Sequence, residues 1–346
     1  MADGQLSGVR VLDFGVWRPA PYATQLLADL GADVIHVEPP GGDPMRAFPA
    51  LFATLSSHKR CVLLDLKSRA DHARAMDLAR GADVVVEGFR PGVAARLGIG
   101  WDDLHDANPS AVVCSISGFG QDGPLAQIPG HDINYQALAG MLHELGSATP
   151  SVPLADIGAG LAAAFAICAA LLRARRTGLG ERIDVAMADV MATWTGPLDP
   201  EQVRTTKGAG DGTAGYGVFP TATGAVVLGV VTEDPFWQAI CDVLDLPHLR
   251  DVDFAGRSRR AAELNAELAR HLARRERDEV VAHLVAAGVP ASPVLTRREV
   301  MGNEHFRRRG VVVGEAMAHP IRYAAAPALP PSAPAPYLPD AGWLPR

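Results

Sequence analysis

Short apolar segments alternate with helical patterns from residue 9 to residue 116, and this alternation constrains the fold more than any other feature of the chain. The predicted strands are residues 9–14, 34–37, 62–66, 84–86 and 111–116. The segments between them, such as residues 23–30 and 70–79, place apolar side chains at helical spacing. Strands that alternate with helices in this way predict a doubly wound α/β unit around a parallel sheet.

The composition changes after this part of the chain. Residues 205–215 are rich in Gly and Thr, which is typical of a loop or linker. Residues 216–231 predict strands with a turn at 221–224, and the charged stretch 261–283 predicts a solvated helix. The tail from Ala324 is rich in Pro and Ala and has no periodicity, so we expect extended chain on the surface.

Charge and cysteine content limit the partners and the compartment. The net charge of −7 disfavours a nucleic acid or an anionic membrane surface as the main partner. The cysteines are far apart and form no CxxC pair, which predicts reduced core residues in a cytoplasmic protein. No His/Cys cluster has zinc spacing, and the polar start of the chain shows no signal peptide. We therefore expect no metal.

The turn after the first strand argues against a nicotinamide enzyme. Glu38, at the end of the second strand, would suit the ribose of a dinucleotide. However, residues 15–21 contain no GxGxxG, the glycine pattern that lets a pyrophosphate approach the backbone. We therefore expect no nicotinamide cofactor.

Basic residues lie near the ends of several predicted strands. They are Arg46, Lys59, Arg60, Arg90 and Arg96, with Phe89 beside Arg90. Open α/β sheets bind ligands beyond the carboxyl ends of their strands, and a guanidinium group matches the geometry of a phosphate. Two or three of these cations could together hold a phosphorylated ligand, or each could be an ordinary surface base.

One acid stands out between residues 130 and 160. Asp156 lies in an apolar and glycine-rich frame, just before residues 161–172, which predict a buried helix. A carboxylate there is costly to desolvate, and a helix N-terminus would offset part of that cost. An acid kept at such a position indicates a functional role. The acid also interrupts the apolar stretch, which argues against a membrane span. His131 lies earlier in the same segment, and either residue alone could be a cap or a core residue.

Many collinear segments resemble those of one family. They are LLADLGADVIHVEPPGGDPMR, HKRCVLLDLK, EGFRPGVAARLG, GFGQDGP, GHDINYQALAG, ADIGAG, RTGLGERIDVAM and AGVPASPVLTRRE. These segments are similar to those of the CaiB/BaiF family, also called family III CoA-transferases. The family also contains α-methylacyl-CoA racemases.

The resemblance implies a Rossmann-like large domain, a smaller α+β domain and an interlocked, ring-like homodimer. We expect the large CoA-binding domain at residues 1–195, a linker at 196–220, the small domain at 221–305 and a segment returning to the large domain at 306–346. Coenzyme A would bind the large domain as part of an acyl-CoA substrate. Phe89, Arg90 and Arg96 fall in the family's CoA-contacting stretch, and Lys59 and Arg60 are further candidates.

Asp156 falls on the catalytic aspartate of the family. In a transferase this carboxylate attacks the thioester and then carries CoA as an aspartyl-CoA thioester. In a racemase it moves a proton at the carbon α to the thioester, and a histidine serves the opposite face. An intact Asp156 argues against a third hypothesis, a CoA-binding protein without catalysis.

His131 favours the racemase branch, because most transferases of the family have tyrosine or another residue there. We therefore expect racemisation of a 2-methylacyl-CoA, with Asp156 and His131 as the paired acid and base and Glu233 supporting His131. CoA transfer between carboxylic acids is the alternative. The segment VIHVEPPGGDPMR resembles the transferase branch, and glycines between residues 208 and 215 form a broken version of a run found in some transferases. The usual GEH-containing C-terminus is replaced by PYLPDAGWLPR.

Overall fold

The computed structural model describes residues 4–146, 149–196, 213–334 and 337–344 of the chain. It divides into two units. The larger unit consists of Met1–Gly196 and Glu304–Arg346, and the smaller unit is Pro197–Asn303. The predicted linker at 196–220 lies mostly outside the described residues, as do most of the predicted loop at 205–215 and of the glycine run at 208–215.

A six-stranded parallel sheet forms the centre of the larger unit, so the predicted α/β class is confirmed. The strands are β1 (Arg10–Asp13), β2 (Asp33–Glu38), β3 (Lys59–Leu63), β4 (Val84–Glu87), β5 (Val112–Ser117) and β6 (Glu181–Ala186). They lie in the order β3-β2-β1-β4-β5-β6, and every neighbouring pair is parallel. The order reverses between β1 and β4, which makes this the switch point of the sheet.

Helices cover both faces of this sheet. They are α1 (Pro19–Asp29), α2 (Pro49–Leu55), α3 (Arg69–Arg80), α4 (Val93–Arg96), α5 (Trp101–Ala107), α6 (Asp132–Leu138), α7 (Met141–Glu144), α8 (Leu154–Thr177) and α9 (Met187–Thr195). In β4, Val84 and Val86 join the apolar cluster under α1 and α8, whereas Val85 joins the cluster under α3. Successive strand residues point to opposite faces, so an unbroken apolar run is what a sheet covered on both sides requires.

The predicted buried helix is α8, which begins at Leu154 and therefore includes Asp156. By length and composition alone, α8 would pass as a membrane-crossing helix. Half of its most apolar stretch is buried in the larger unit, where α8 packs against α1, α9, β5 and β6. Core helices of soluble proteins meet the same criteria.

Strand β3 begins three residues before the predicted strand, because Lys59 belongs to the core. Its ammonium group donates to Asp13 Oδ2 (3.1 Å), Thr24 Oγ1 (2.7 Å) and the backbone oxygen of Pro21 (2.8 Å). His36 Nδ1 lies 3.2 Å from the same Asp13 oxygen. We call Asp13, Thr24, His36 and Lys59 the Asp13 cluster. Its ionic groups are buried but paired, which is the condition under which charges are tolerated inside a protein.

The cysteines are unpaired, in agreement with the sequence-based prediction. Cys61, Cys114 and Cys241 are buried, and Cys168 is half-buried on α8. A buried thiol that has no partner behaves as a small apolar side chain. These residues therefore contribute to packing in the two units.

The smaller unit packs helices against a short antiparallel sheet. Its strands are β7 (Tyr216–Thr221), β8 (Gly224–Gly229) and β9 (Ala291–Pro293), and its helices are α10 (Asp234–Leu244), α11 (Phe254–Arg259), α12 (Ala261–Leu272), α13 (Arg277–Ala286) and α14 (Arg297–Gly302). The charged stretch predicted as one helix is two helices, α12 and α13. The second begins where the Glu276 side chain accepts a hydrogen bond from the backbone N–H of Glu279. A local cap of this kind starts a new helix.

The last segment belongs to the larger unit and is anchored to it. It contains α15 (Glu304–Arg308) and the strand pair β10 (Val312–Val313) and β11 (Ala316–Met317). Tyr337 forms a parallel bridge with Cys61 of β3 and donates its hydroxyl to Glu38 Oε2 at 2.7 Å. The Trp343 indole donates to the backbone oxygen of Leu78 at 2.9 Å. These contacts fix the predicted extended tail to β2, β3 and α3.

Candidate active site

A cavity of about 470 Å³ opens where the strand order reverses between β1 and β4. Its lining includes residues 16–19 after β1, residues 88–91 after β4, the end of β5 and residues 128–132. At a switch point the connections leave neighbouring strands in opposite directions, so the fold itself leaves a crevice there. We call this the active-site cavity.

Asp156 lines the active-site cavity from the first turn of α8 and is half-buried. Burial raises the pKa of Asp156 and the nearby Asp132 raises it further, whereas Arg18 lowers it, with a result of about 7. The N-terminus of a helix favours the ionised carboxylate. A carboxyl group whose pKa lies near neutrality can serve as nucleophile, base or acid at physiological pH.

Asp132 caps α8 from another helix. The N-cap residue of α8 is Pro153, which makes no side-chain cap. Instead, Asp132 Oδ1 accepts hydrogen bonds from the backbone N–H groups of Ala155 (2.8 Å) and Asp156 (3.1 Å). Its other oxygen accepts from Gln136 Nε2 at 2.5 Å. The cap joins α6 to α8 and places a second carboxylate beside Asp156.

The glycines that follow Asp156 are required by helix packing. A Cβ at Gly158 would lie 2.7 Å from the ring of Trp194 on α9. A Cβ at Gly160 would lie 2.8 Å from the backbone oxygen of Pro19, at the start of α1. At Gly160 the backbone leaves no room for a side chain, and at Gly158 a side chain would displace the Trp194 ring, so α8 lies directly against both neighbouring helices. The glycine frame therefore fixes the position of the first turn of α8 in the fold.

His131 lines the same cavity as Asp156, so the structure brings these two candidates together. It is the N-cap residue of α6, and its backbone N–H donates to Asn134 Oδ1 at 2.9 Å. The side chain is exposed. Within the part of the chain that the structure describes, no group forms a hydrogen bond or an ion pair with the imidazole.

Tyr135 forms a fixed wall of the cavity that sequence reasoning missed. The side chain is buried, and its hydroxyl donates to the backbone oxygen of Gly130 at 2.6 Å. Its ring meets that of Phe119 edge-on at 5.0 Å. A Cβ at Gly118 or Gly130 would lie 2.5 or 2.8 Å from the ring of Tyr135. These two glycines make room for the tyrosine ring.

Phe89 and Arg90 line the active-site cavity directly after β4. Arg96 is the last residue of α4, and its side chain is exposed. Among the described residues, neither guanidinium group has a hydrogen-bond or ion-pair partner. Both are therefore open to an anionic ligand, and their contact with CoA stays a prediction.

The other predicted phosphate-binding cations, Lys59, Arg60 and Arg46, do not line the cavity, and their contact with CoA stays a prediction. Lys59 is 1% exposed within the Asp13 cluster. Arg60 is paired with Asp33, and Arg46 donates to both oxygens of Glu38 at 2.7 and 2.6 Å. Because Lys59 and Arg60 are the first residues of β3, they lie at the amino end of a strand, away from the edge where ligands bind. Each of the three cations is balanced inside the fold.

Glu233 lies in the smaller unit, whereas the cavity residues belong to the larger one. It is the N-cap residue of α10, and its Oε2 accepts from the backbone N–H of Val231 at 2.9 Å. Hydrogen bonds from backbone groups, the strongest from Val231, lower the pKa of this exposed acid. Turn formation at the start of a helix accounts for Glu233, and its catalytic role stays a prediction.

The described residues contain no group of His, Cys, Asp and Glu that could hold a metal ion.

Sequence reasoning also missed the loop after β1, which carries Trp17 and Arg18. Both line the cavity, with Trp17 47% exposed and Arg18 half-buried. The backbone φ of Trp17 is 65°, in the left-handed region that bulky residues rarely adopt. This turn matches no motif. The loop is distinguished only by its position after the strand at which the order reverses, and no local sequence pattern gives that strand order.

Comparison with known proteins gives a consistent result. The family model of CoA-transferase family III matches residues 6–341. A succinate–glutarate CoA-transferase from Agrobacterium fabrum is 30% identical, over 89% of this chain and 84% of its own length. The probable fatty acyl-CoA transferase Rv3272 from Mycobacterium tuberculosis is 33% identical over 92% of each chain. The crystal structure of a CAIB/BAIF family protein from Brucella suis has a TM-score of 0.86 at 28% identity, over 97% of each chain.

Proposed function

The chain belongs to CoA-transferase family III, and we propose that it transfers CoA between carboxylic acids with Asp156 as the nucleophile. The observation that carries this proposal is the state of Asp156, a half-buried carboxyl group with a pKa of about 7 at the wall of the active-site cavity. No described group donates a hydrogen bond to its oxygens. A half-buried carboxylate that accepts no hydrogen bond from any described group keeps its lone pairs for an electrophile.

The reaction proceeds in two symmetrical halves. The Asp156 carboxylate attacks the acyl carbon of acyl-CoA, the C–S bond breaks, CoA leaves as a thiolate, and a mixed anhydride of Asp156 and the first acid remains. The thiolate then attacks the Asp156 carbonyl carbon, which releases the first acid as its carboxylate and leaves an aspartyl-CoA thioester. A second acid reverses these steps through its own anhydride, and Asp156 is regenerated. No net proton is taken up or released.

Phe89, Arg90 and Arg96 are proposed to hold the CoA portion of the substrate. The two guanidinium groups are open to an anion, and Arg forms paired hydrogen bonds with phosphate oxygens. Phe89 offers an apolar surface at the edge of the cavity. Bound in this way, CoA would present its thioester to the nucleophile from the carboxyl edge of the sheet.

Racemisation is the second candidate, because His131 lines the same cavity as Asp156. A two-base mechanism needs an imidazole held on one face of the α carbon in a defined tautomer, and a hydrogen bond to the other ring nitrogen usually provides this. No described group provides it for His131. The relatives given above are named as CoA-transferases, which also favours transfer.

One experiment separates the two reactions. An acyl-CoA with a chiral α carbon is incubated in D2O with the enzyme and a labelled free acid, and hydroxylamine is added to trap acyl groups on Asp156. Transfer predicts CoA on the labelled acid, a hydroxamate at Asp156 and no deuterium at the α carbon. Deuterium at the α carbon without CoA transfer would overturn the proposal. His131→Ala should retain transfer within about tenfold, whereas it would abolish a two-base racemase.

A homodimer is proposed from the outer face of α8. Leu161, Phe165 and Leu172 are 49, 76 and 70% exposed and, with half-buried Cys168, form one stripe at helical spacing. An apolar stripe of this size marks a contact surface. Light scattering should find a dimer that Phe165→Glu converts to monomer, whereas Val285→Glu, an equally apolar exposed site in the smaller unit, should leave it intact. A monomeric wild type would overturn this proposal.

A further inference from the structure

Arg18 lines the active-site cavity together with the proposed nucleophile, and no described residue pairs with it. It immediately precedes α1, is half-buried and lines the active-site cavity together with Asp156. In the described part of the chain, nothing forms a hydrogen bond or an ion pair with its guanidinium group. Fold interactions account for Arg46, Lys59 and Arg60, whereas the described residues offer none that accounts for Arg18.

Two features of the backbone hold Arg18 in this place. The oxygen of the next residue, Pro19, lies against Gly160, one turn of α8 beyond Asp156, where no Cβ could fit. The preceding residue, Trp17, has a φ of 65°. A residue other than glycine persists in this conformation only where its surroundings determine it, and such residues cluster at functional sites. The loop that carries Arg18 is therefore built into the wall of the cavity.

The charges around the cavity favour a cation at this position. Asp132 is engaged in capping α8, so its negative charge stays beside Asp156 throughout the reaction. In the proposed reaction, one more negative charge passes from the Asp156 carboxylate to the CoA thiolate and then to the departing acid. A second anion near a fixed one is unfavourable in a site of low dielectric constant unless a cation lies close to both.

We propose that Arg18 binds the carboxylate of the free acid and balances the negative charge that moves among Asp156, the thiolate and that acid. The inference rests on the proposed transferase function and assigns a substrate-binding and catalytic role to a residue outside the expected CoA-binding stretch. The ligand class it recognises is the free carboxylate anion, both as the leaving product and as the entering substrate. Arg90 lies after β4 and remains available to CoA.

Steady-state kinetics test this role through three variants. Arg18→Gln should lower kcat by about 30- to 100-fold and raise the KM of the free acid, while the KM of acyl-CoA stays within about twofold. Arg18→Lys should restore most of kcat because it keeps the charge. Arg175→Gln, the same substitution at an exposed position in the last turn of α8, should match the wild type. If Arg18→Gln retains kcat within about twofold, the inference is overturned.

A measurement without turnover distinguishes failure of the inference from failure of the proposed function. The titratable and charged groups around Asp156 are Arg18 before α1, Arg90 after β4, and His131, Asp132 and Tyr135 at the start of α6. A water-soluble carbodiimide labels carboxyl groups in the protonated form, and peptide mass spectrometry reads the label at Asp156 against pH. Arg18→Gln should move the midpoint of this labelling to higher pH. An unchanged midpoint overturns the inference, whereas a wild type that transfers no CoA overturns the proposed function.

Discussion

Asp13 and Asp156 are both acids that the larger unit withdraws from water, and the fold treats them in opposite ways. Asp13 is fully buried and accepts hydrogen bonds from the Thr24 hydroxyl (2.5 Å) and the Lys59 ammonium group (3.1 Å). Burial alone would raise its pKa, but Lys59 and His36 outweigh this effect and hold the pKa of Asp13 well below its usual range. The carboxylate is satisfied, so it serves structure.

Asp156 is less buried and yet less satisfied. Its charged neighbours are Asp132, a like charge, and Arg18, which makes no ion pair with it, and its pKa rises to about 7. The contrast teaches that burial does not by itself identify a reactive acid. The number of partners does, because a carboxylate without donors keeps its lone pairs for a substrate. Four experiments test whether Asp13 and Asp156 differ in this way.

The largest effect is expected for Asp156→Asn. Transfer should fall by more than about a thousandfold, since an amide cannot form the anhydride. Stability should not fall. A carboxyl group whose folded pKa lies above its unfolded value of 3.8 opposes folding once pH passes both values, so the variant should unfold at a higher temperature at pH 8. Asp189→Asn, at an exposed acid in the first turn of α9, is the control and should change neither property. A loss of stability in Asp156→Asn would contradict the comparison.

The converse variant, Lys59→Met, should destabilise the fold by about 3 kcal/mol, because it leaves Asp13 buried with one charged partner fewer. Urea denaturation measures the loss, and the kcat of the folded protein should stay within about threefold. Adding Asp13→Asn should cost less than the sum of the single changes, since the two side chains form one contact. Additive losses would show that the Asp13 cluster is not a coupled unit.

The pH dependence of kcat/KM should report the pKa of free Asp156. The nucleophile is the ionised form, so kcat/KM should rise about tenfold per pH unit below 7 and level off above it. Asp132→Asn keeps a side-chain oxygen for the cap of α8 and removes the like charge. It should therefore shift the rise to lower pH. A flat profile between pH 5.5 and 8 would mean that Asp156 resembles an ordinary acid.

The smallest effect concerns Glu38, a third acid, which resembles Asp13. Burial would raise its pKa, but hydrogen bonds from Arg46 and Tyr337 lower it to about 2. Tyr337→Phe should reduce stability by about 1 kcal/mol at pH 7. This contribution is present above the unfolded pKa of 4.5 and is lost as pH falls through about 2, so the difference should shrink in acid. Tyr323→Phe, whose hydroxyl has no partner within the described residues, should show no loss.

The sequence predicted most of the larger unit because its strands carry their own signal. Val84, Val85 and Val86 form an apolar run whichever helices cover them. The strand can therefore be predicted without knowing which helices pack on it. Asp156 was singled out for a similar reason, because the apolar residues and glycines that surround it lie next to it in the sequence. The start of β3 was not predicted, because Lys59 resembles a surface residue until Asp13 and Thr24, far earlier in the chain, are brought to it.

Other parts of the site depend on strand order and helix docking, which no local pattern reveals. Arg18 lies at the switch point only because β4 is inserted next to β1. Asp132 caps a helix that begins more than twenty residues later. The preference for a racemase rested on one residue, His131, and the structure gives its imidazole no partner among the described residues. A residue type alone could not supply that information.

The cap that Asp132 provides has a consequence for the order of folding. Helix α8 does not cap its own first turn, because Pro153 offers no side-chain acceptor and the acceptor is Asp132 of α6. The environment of Asp156 therefore forms only after these two segments have docked. A nascent or partly unfolded chain holds an ordinary, solvated aspartate that does not react with thioesters. We expect the enzyme to acquire its reactive carboxylate as a late product of tertiary assembly, which protects unfinished chains from acylation by the cell's acyl-CoA.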